Sequence, residues 1–289
     1  MFRIENLLNN QNIKTIEKKE GMRILEHAND LSVTPYSATS AYFASKMNVR
    51  KRQVLIEINN KEYVVSAGAM QWTLGNVEMS SDVKGVGDFL GKALKGAVTK
   101  EGAVKPKYKG KGVLMLEPTY KHILLEDVSE WNGGMVLDDG LFLACEATAE
   151  QQVVARSNIS SAVFGGEGLF NLKLVGTGIA ALESPVPREE LYEVSLENDT
   201  LKVDGNFAIA WSGSLEFTVE KSTKSLLGSG ISGEGLVNVY RGTGKVLLAP
   251  VNGEAMKQAQ RTSSNANPST AASNVGSAAL NGIVGMITK

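Results

Sequence analysis

Through the middle of the chain the apolar positions fall in short runs with the period of strands, as in Val54-Leu55-Ile56-Glu57-Ile58, Glu216-Phe217-Thr218-Val219-Glu220 and Leu236-Val237-Asn238-Val239-Tyr240. Gly, Asn, Asp or Pro bounds these runs, and the 3.6-residue period of an amphipathic helix is scarce. Ala67-Gly68, Asp139-Gly140 and Asp204-Gly205 each stand between two runs, which signals a hairpin because a tight turn needs positive φ. The first 48 residues break the pattern. They carry polar stretches, with strand material expected around Phe2–Ile4 and Met22–Leu25 and a helix expected from Ser37 or Thr39 to about Met47.

The runs repeat. G-K-G-V-L-M-L-E at Gly110–Glu117 returns as G-T-G-I-A-A-L-E at Gly176–Glu183 and as G-T-G-K-V-L-L-A at Gly242–Ala249, 66 residues apart each time. A small-residue turn precedes each: Lys100-Glu101-Gly102-Ala103, Gly166-Glu167-Gly168-Leu169 and Gly233-Glu234-Gly235-Leu236. Pro118, Pro185 and Pro187 fall at the joins, where residues that cannot donate to a ladder stop strands. The expected organisation is an N-terminal extension at 1–48, β-repeats at 49–118, 119–185 and 186–250, and a flexible linker with a short apolar tail at 251–289. That last segment is rich in Ala, Ser, Asn, Thr and Gln, and its end, Ala278–Ile287, is too short to span a bilayer but long enough to dock on a surface.

Composition narrows the class. With 289 residues, 43% hydrophobic and 21% charged, the chain can bury a sizeable core and is not wholly disordered. Its 30 basic and 31 acidic side chains remove any whole-chain attraction to nucleic acid or membrane, so only local patches count. A single cysteine, Cys145, excludes an intrachain disulfide, and two histidines, His27 and His122, exclude a histidine-rich metal site. The start, Met-Phe-Arg-Ile-Glu-Asn, does not read as a secretory signal, and no apolar run approaches the roughly 18 residues of a spanning helix. A cytoplasmic location is expected.

Ser66–Met79, reading S-A-G-A-M-Q-W-T-L-G-N-V-E-M, together with G-G-E-G-L-F at Gly165–Phe170 and S-G-E-G-L-V at Ser232–Val237, resembles the "altered inheritance of mitochondria" family in its bacterial branch. The similarity runs over about Asn48–Asn252. It implies a fold like that of the tryptophan-RNA-binding attenuation protein (TRAP-like), a small β-sandwich unit triplicated around a pseudo-threefold. It implies no catalytic residue and no cofactor, and the mitochondrial branch is associated with inner-membrane organisation. The chain departs from the family pattern in its two extensions and in Lys100–Ala103, which replaces the first G-E-G-L.

Candidate chemistry is thin. Counted from the turn glycine, Cys145 is level with Thr73 and Ala210, so a small slot in the core accounts for it better than a nucleophile does. His27 and His122 have no serine or cysteine motif beside them. Gly242–Lys245 fails as a phosphate loop because Val239 and Val246 stand where a glycine and a hydroxyl are needed. Glu126-Asp127 and Asp138-Asp139 are adjacent pairs that point to opposite faces of a strand, and read as turn and solvation chemistry. Glu101, Glu167 and Glu234 recur at one turn of each unit, either capping backbone amides or converging on a threefold axis to hold a cation or a basic partner.

The strongest local charge is basic. Lys105, Lys107, Lys109 and Lys111 alternate with Pro106, Tyr108 and Gly110, so on a strand they line one face as a stripe about 20 Å long. Such a stripe attracts anionic lipid, RNA or an acidic protein, or guards an edge strand against aggregation. The expectation is an all-β, three-repeat, non-enzymatic homo-oligomer without cofactors, acting as a binding or scaffolding module peripheral to a membrane. Its alternatives are an RNA-binding module and a small-ligand binder.

Overall fold

Strands form where the apolar runs place them. The computed structural model describes residues 2–81, 105–155, 170–221 and 236–251. β1 (Ile13–Lys19) and β2 (Met22–His27) make a hairpin ahead of α1 (Ala38–Lys46). β3 (Arg52–Asn59), β4 (Tyr63–Val65), β5 (Met70–Ser80) and β6 (Lys107–Leu116) follow. Then come β7 (His122–Asp127), β8 (Met135–Leu137), β9 (Phe142–Glu146), β10 (Ala149–Ala155), β11 (Phe170–Gly176) and β12 (Ile179–Ser184). The last are β13 (Tyr192–Asp204), β14 (Ala208–Ser212), β15 (Glu216–Lys221) and β16 (Leu236–Leu248). The protein is mainly β, as expected, and α1 is its one α-helix among the described residues.

The N-terminal extension differs from its expectation in two places. Phe2–Ile4 forms no strand; with Leu7 and Leu8 it lines a hollow against Leu55 and Val113 on the outer face of the sheet. β1 does form, although its sequence is dominated by charged and polar side chains, because β2 supplies its ladder and β1 itself is mostly exposed as an edge strand.

Met1–Pro250 forms one compact unit with two sheets. The first runs β1-β2-β3-β6-β4-β9-β12-β7, with β5 also on β6; the second runs β10-β11-β8-β14-β16-β13, with β15 also on β16. The segment between Pro118 and Pro185 therefore feeds both sheets: β7, β9 and β12 the first, β8, β10 and β11 the second. Met22, Ile24, Ile56, Tyr63, Leu114 and Ala144 belong to the first core, while Trp211 stacks on Phe217 and meets Tyr240 edge-on in the second. Fully burying side chains of this size contributes about 1.5–3 kcal/mol each.

One arrangement recurs along the chain. β6 is flanked by β5 on one side and by β4 and then β3 on the other. β11 lies between β10 and β8, β12 between β9 and β7, and β16 between β13 and the pair β14 and β15. Positive φ recurs with it: at Asn60 (59°), Gly133 (72°) and Asn198 (53°), at Gly68 (79°), Gly140 (80°) and Gly205 (58°), and at Gly110 (127°), Gly176 (110°) and Gly242 (119°). Gly110 marks the corner where β6 passes from β4 to β3, and its carbonyl accepts from the Asn60 N–H at 2.7 Å. Two short antiparallel ladders connect these groups of strands, β4 to β9 (Val64 opposite Cys145) and β8 to β14 (Val136 opposite Trp211).

The small-slot reading of Cys145 holds at two of its three positions. Cys145 and Ala210 are fully buried, but Thr73 is exposed. Strands β9 and β14 have neighbours on both sides, whereas β5 pairs with β6 alone among the described residues.

Candidate functional site

Among the described residues, the most exposed large apolar side chains lie on and beside the N-terminal extension. α1 runs nine residues, about 13.5 Å, and only Ser45 of them is buried. Its length is far below a membrane span, and among the described residues no helix is long and apolar enough to cross a bilayer. Tyr36 is 98% exposed, Met47 77%, Leu31 76% and Phe43 62%; Tyr42 and Tyr120 are also open to solvent. Tyr42 and Phe43 meet edge to face at 5.5 Å, and Lys46 Nζ sits 5.1 Å over the Tyr42 ring. Between Leu31 and Arg52 the chain holds no acidic residue and four basic ones, Lys46, Arg50, Lys51 and Arg52. The helix, with Lys46 as its single charged residue, reads as unremarkable in sequence, which is why the surface was missed; the signal was its aromatic content in an acid-free stretch.

Asp30 anchors the approach to this helix. Its carboxylate accepts from the Ser32 N–H at 3.1 Å and the Ser32 hydroxyl at 2.5 Å, from the Tyr120 phenol, and from Lys51 Nζ at 3.3 Å. Hydrogen bonds from Ser32 and then Tyr120 hold it well below the usual carboxylate range, and the same contact raises the Tyr120 phenol. Ser37 and Thr34 exchange further bonds ahead of α1. These groups frame a hollow of about 470 Å³ lined by Asp30, Ser32, Val33, Ser37, Arg50 and Tyr120.

At the other end of the extension lies an ion network. Glu26 accepts from Arg52 at 2.7 Å and from Arg50 at 2.8 Å, with Arg52 only 2% exposed. The Arg52 guanidinium also donates to the carbonyls of Arg50 and Asn48 and to the Asn48 side chain, which follows α1 directly. It thereby fastens the end of α1 to β2 and β3.

Three of the four stripe lysines, Lys107, Lys109 and Lys111, lie on β6, and Lys105 precedes it. Tyr108 is buried in the first core, so Lys107, Lys109 and Lys111 share the outer face. Lys109 lies opposite Glu78, and Lys111 opposite Asn76 and Asn59. Lys109 and Lys111 are exposed and make no ion pair among the described residues, while Lys105 packs over the Phe142 ring at 5.1 Å. The stripe and α1 are not brought together: Lys107–Lys111 opens β6, whereas Tyr120 lies beyond its end. Glu101, Glu167 and Glu234 fall outside the described residues.

The remaining candidate groups are buried or hydrogen-bonded. Burial pushes the Cys145 thiol up to about 12. His27 hydrogen-bonds the Gln53 side chain at 3.2 Å. Asp127 accepts from the Ser129 N–H, as turn chemistry requires, but Glu126 departs from its expected solvation. It is buried against Arg188 at 2.8 Å, and burial raises its carboxyl.

Burial, and then the Arg52 guanidinium, pull His122 down to about 4. In the unfolded chain it titrates near 6.5. Between these values the unfolded state binds the extra proton, so the stability that neutral His122 contributes is present above about pH 6.5 and lost as pH falls toward 4. Urea unfolding at pH 7 and pH 4.5 is expected to show a stability loss on the order of 1–2 kcal/mol greater in the wild type than in His122→Gln. Equal losses in both proteins would refute the assignment.

Three comparisons bear on this architecture. The sequence model of the family described as "Mitochondrial biogenesis AIM24" matches residues 46–251. An uncharacterized protein of Streptococcus pyogenes serotype M6 is 29% identical over 211 residues, covering 68% of this chain and 82% of that one. The crystal structure of SPYM3_0169 from Streptococcus pyogenes superposes with a TM-score of 0.55 at 22% identity, over 83% of this chain and 99% of that chain, which speaks for a shared fold.

Proposed function

The chain belongs to the mitochondrial biogenesis AIM24 family, and from that premise we propose that it is a non-enzymatic, oligomeric binding or scaffolding module of three TRAP-like β-repeats, held at an anionic lipid surface through α1. The observation that carries the membrane reading is the exposed set Tyr36, Tyr42, Phe43 and Met47 on an acid-free, basic run. Aromatic and thioether side chains on and beside a short helix suit the boundary between headgroups and acyl chains, and Lys46 adds attraction to anionic lipid, whereas Arg50, Lys51 and Arg52 are paired with Glu26 or Asp30. The three-repeat reading is supported by the recurrent flanking of β6, β11–β12 and β16 and by the three sets of positive-φ residues 65–73 positions apart. Against an enzyme stand the buried Cys145 thiol and the absence of any nucleophile, base and orienting group assembled among the described residues. RNA binding by the lysine stripe is disfavoured because Tyr108, the one aromatic interleaved with it, points into the core and offers no stacking face.

Co-sedimentation of the full chain with phosphatidylserine-containing vesicles tests the membrane reading. Tyr42→Ser/Phe43→Ser/Met47→Ser, at positions already exposed, is expected to weaken binding about tenfold or more, because each removes apolar surface that the lipid would cover. Reversing Lys105, Lys107, Lys109 and Lys111 to Glu is expected to weaken it in a salt-dependent way. Wild-type binding by the α1 variant, or none by the wild type at low salt, overturns the proposal.

A further inference from the structure

The ladder that joins one third of the chain to the next is used twice and left open once. β4 pairs with β9 and β8 with β14, three residue pairs each, always antiparallel. Counted from the turn glycines as in the β4–β9 ladder, the corresponding third ladder would set Thr200–Lys202 of β13 against Trp72–Leu74 of β5, and the count of the β8–β14 ladder moves the β5 partner on by one residue. Neither edge is covered: among the described residues β13 pairs only with β16, and β5 only with β6.

Burial records the difference. All five residues of β9 and all five of β14 are buried. In β5, by contrast, Met70, Gln71, Thr73 and Gly75 are exposed, with Met70 at 39%. Thr200 and Lys202 are exposed on β13, beside half-buried Leu201. An edge that no other strand covers among the described residues invites another strand, and these two edges are complementary because the chain already joins the same pair of strand types twice; the Thr200 N–H, which donates to the Asp199 carboxylate at 2.7 Å, is the one amide of the stretch with a side-chain acceptor.

We propose that a second copy of this chain completes the missing ladder, β13 Thr200–Lys202 of one copy pairing antiparallel with β5 Trp72–Leu74 of the next. The contact is head to tail, so two copies that each offer both edges close into a pair with two ladders, the second formed at high effective concentration. This rests on the three-repeat reading and is independent of the lipid reading.

Native-state hydrogen exchange read by mass spectrometry, with solution mass measured on the same samples, tests it at about 1 μM and about 100 μM full chain. Expected are particles of two or more chains at the higher concentration, with peptides over 70–75 and 200–204 slowed roughly tenfold relative to the lower one. Peptides over Phe142–Glu146 and Ala208–Ser212 should be protected at both concentrations, since their ladders lie within one chain. Single chains at both concentrations, or edge peptides that exchange at one rate throughout, overturn the proposal. If β9 and β14 exchange as fast as β5, the three-repeat reading falls instead, so the two failures are told apart.

Discussion

Arg52→Met is expected to destabilise the fold by about 3–5 kcal/mol, the range for removing one partner of a buried ion pair. Arg52 has 2% of its surface exposed and holds four acceptors at once: Glu26, the Asn48 side chain, and the carbonyls of Asn48 and Arg50. Methionine matches much of its volume but satisfies none of them. Arg50 remains on Glu26 at 2.8 Å and shields part of the orphaned charge, which places the loss toward the lower end. Urea unfolding at pH 7 reads the effect, and Arg52→Met/Glu26→Leu should recover part of it because no buried carboxylate is then left alone. A single-variant loss below about 1 kcal/mol would mean that water reaches the pair.

The same substitution has a second readout. The Arg52 guanidinium is, after burial, the main influence that depresses His122, so its removal should raise the His122 pKa and shrink the acid-side loss of stability. It should also weaken vesicle binding without touching the exposed aromatic side chains, since Arg52 holds Asn48, the residue after the Met47 C-cap of α1.

Local signals were legible and long-range ones were not. Gly beside Ala or Asp at 68, 140 and 205 announced tight turns, and all three glycines have positive φ. The β6 lysines were placed on one face by period two alone, and they lie there. The partition of strands between two sheets was not readable, because alternation says which side of a strand is apolar but not which strand lies beside it. Thr73 shows the limit well: it has the small side chain of Cys145 and Ala210, yet its burial depends on a second neighbouring strand that β5 does not have among the described residues. Glu126 and Arg52 were equally hidden, since a charge is buried only when distant partners such as Arg188 or Glu26 arrive to meet it.

The glycines at 110, 176 and 242, spaced 66 residues apart, supply the most severe expected effect. Gly110→Ala places a Cβ 2.1 Å from the backbone carbonyl oxygen of Asn76, at a φ of +127° that L side chains rarely adopt. Gly176→Ala brings its Cβ to 2.4 Å from the Thr148 carbonyl oxygen, at +110°. Neither contact can be relieved by rotating a side chain, so β6 and β11 must leave β5 and β10 at their corners, a loss of about 4 kcal/mol or more in each case. Gly242 has nearly the same φ, +119°, but its nearest neighbours stand at 3.8 Å. Gly242→Ala therefore carries the backbone strain without the collision, about 1–3 kcal/mol. Urea midpoints of the three variants should rank Gly242→Ala well above the other two, which separates close strand approach from φ alone as the reason glycine stands at the corner. Three equal losses would assign the whole effect to φ and leave the approach of β5 and β10 without energetic weight.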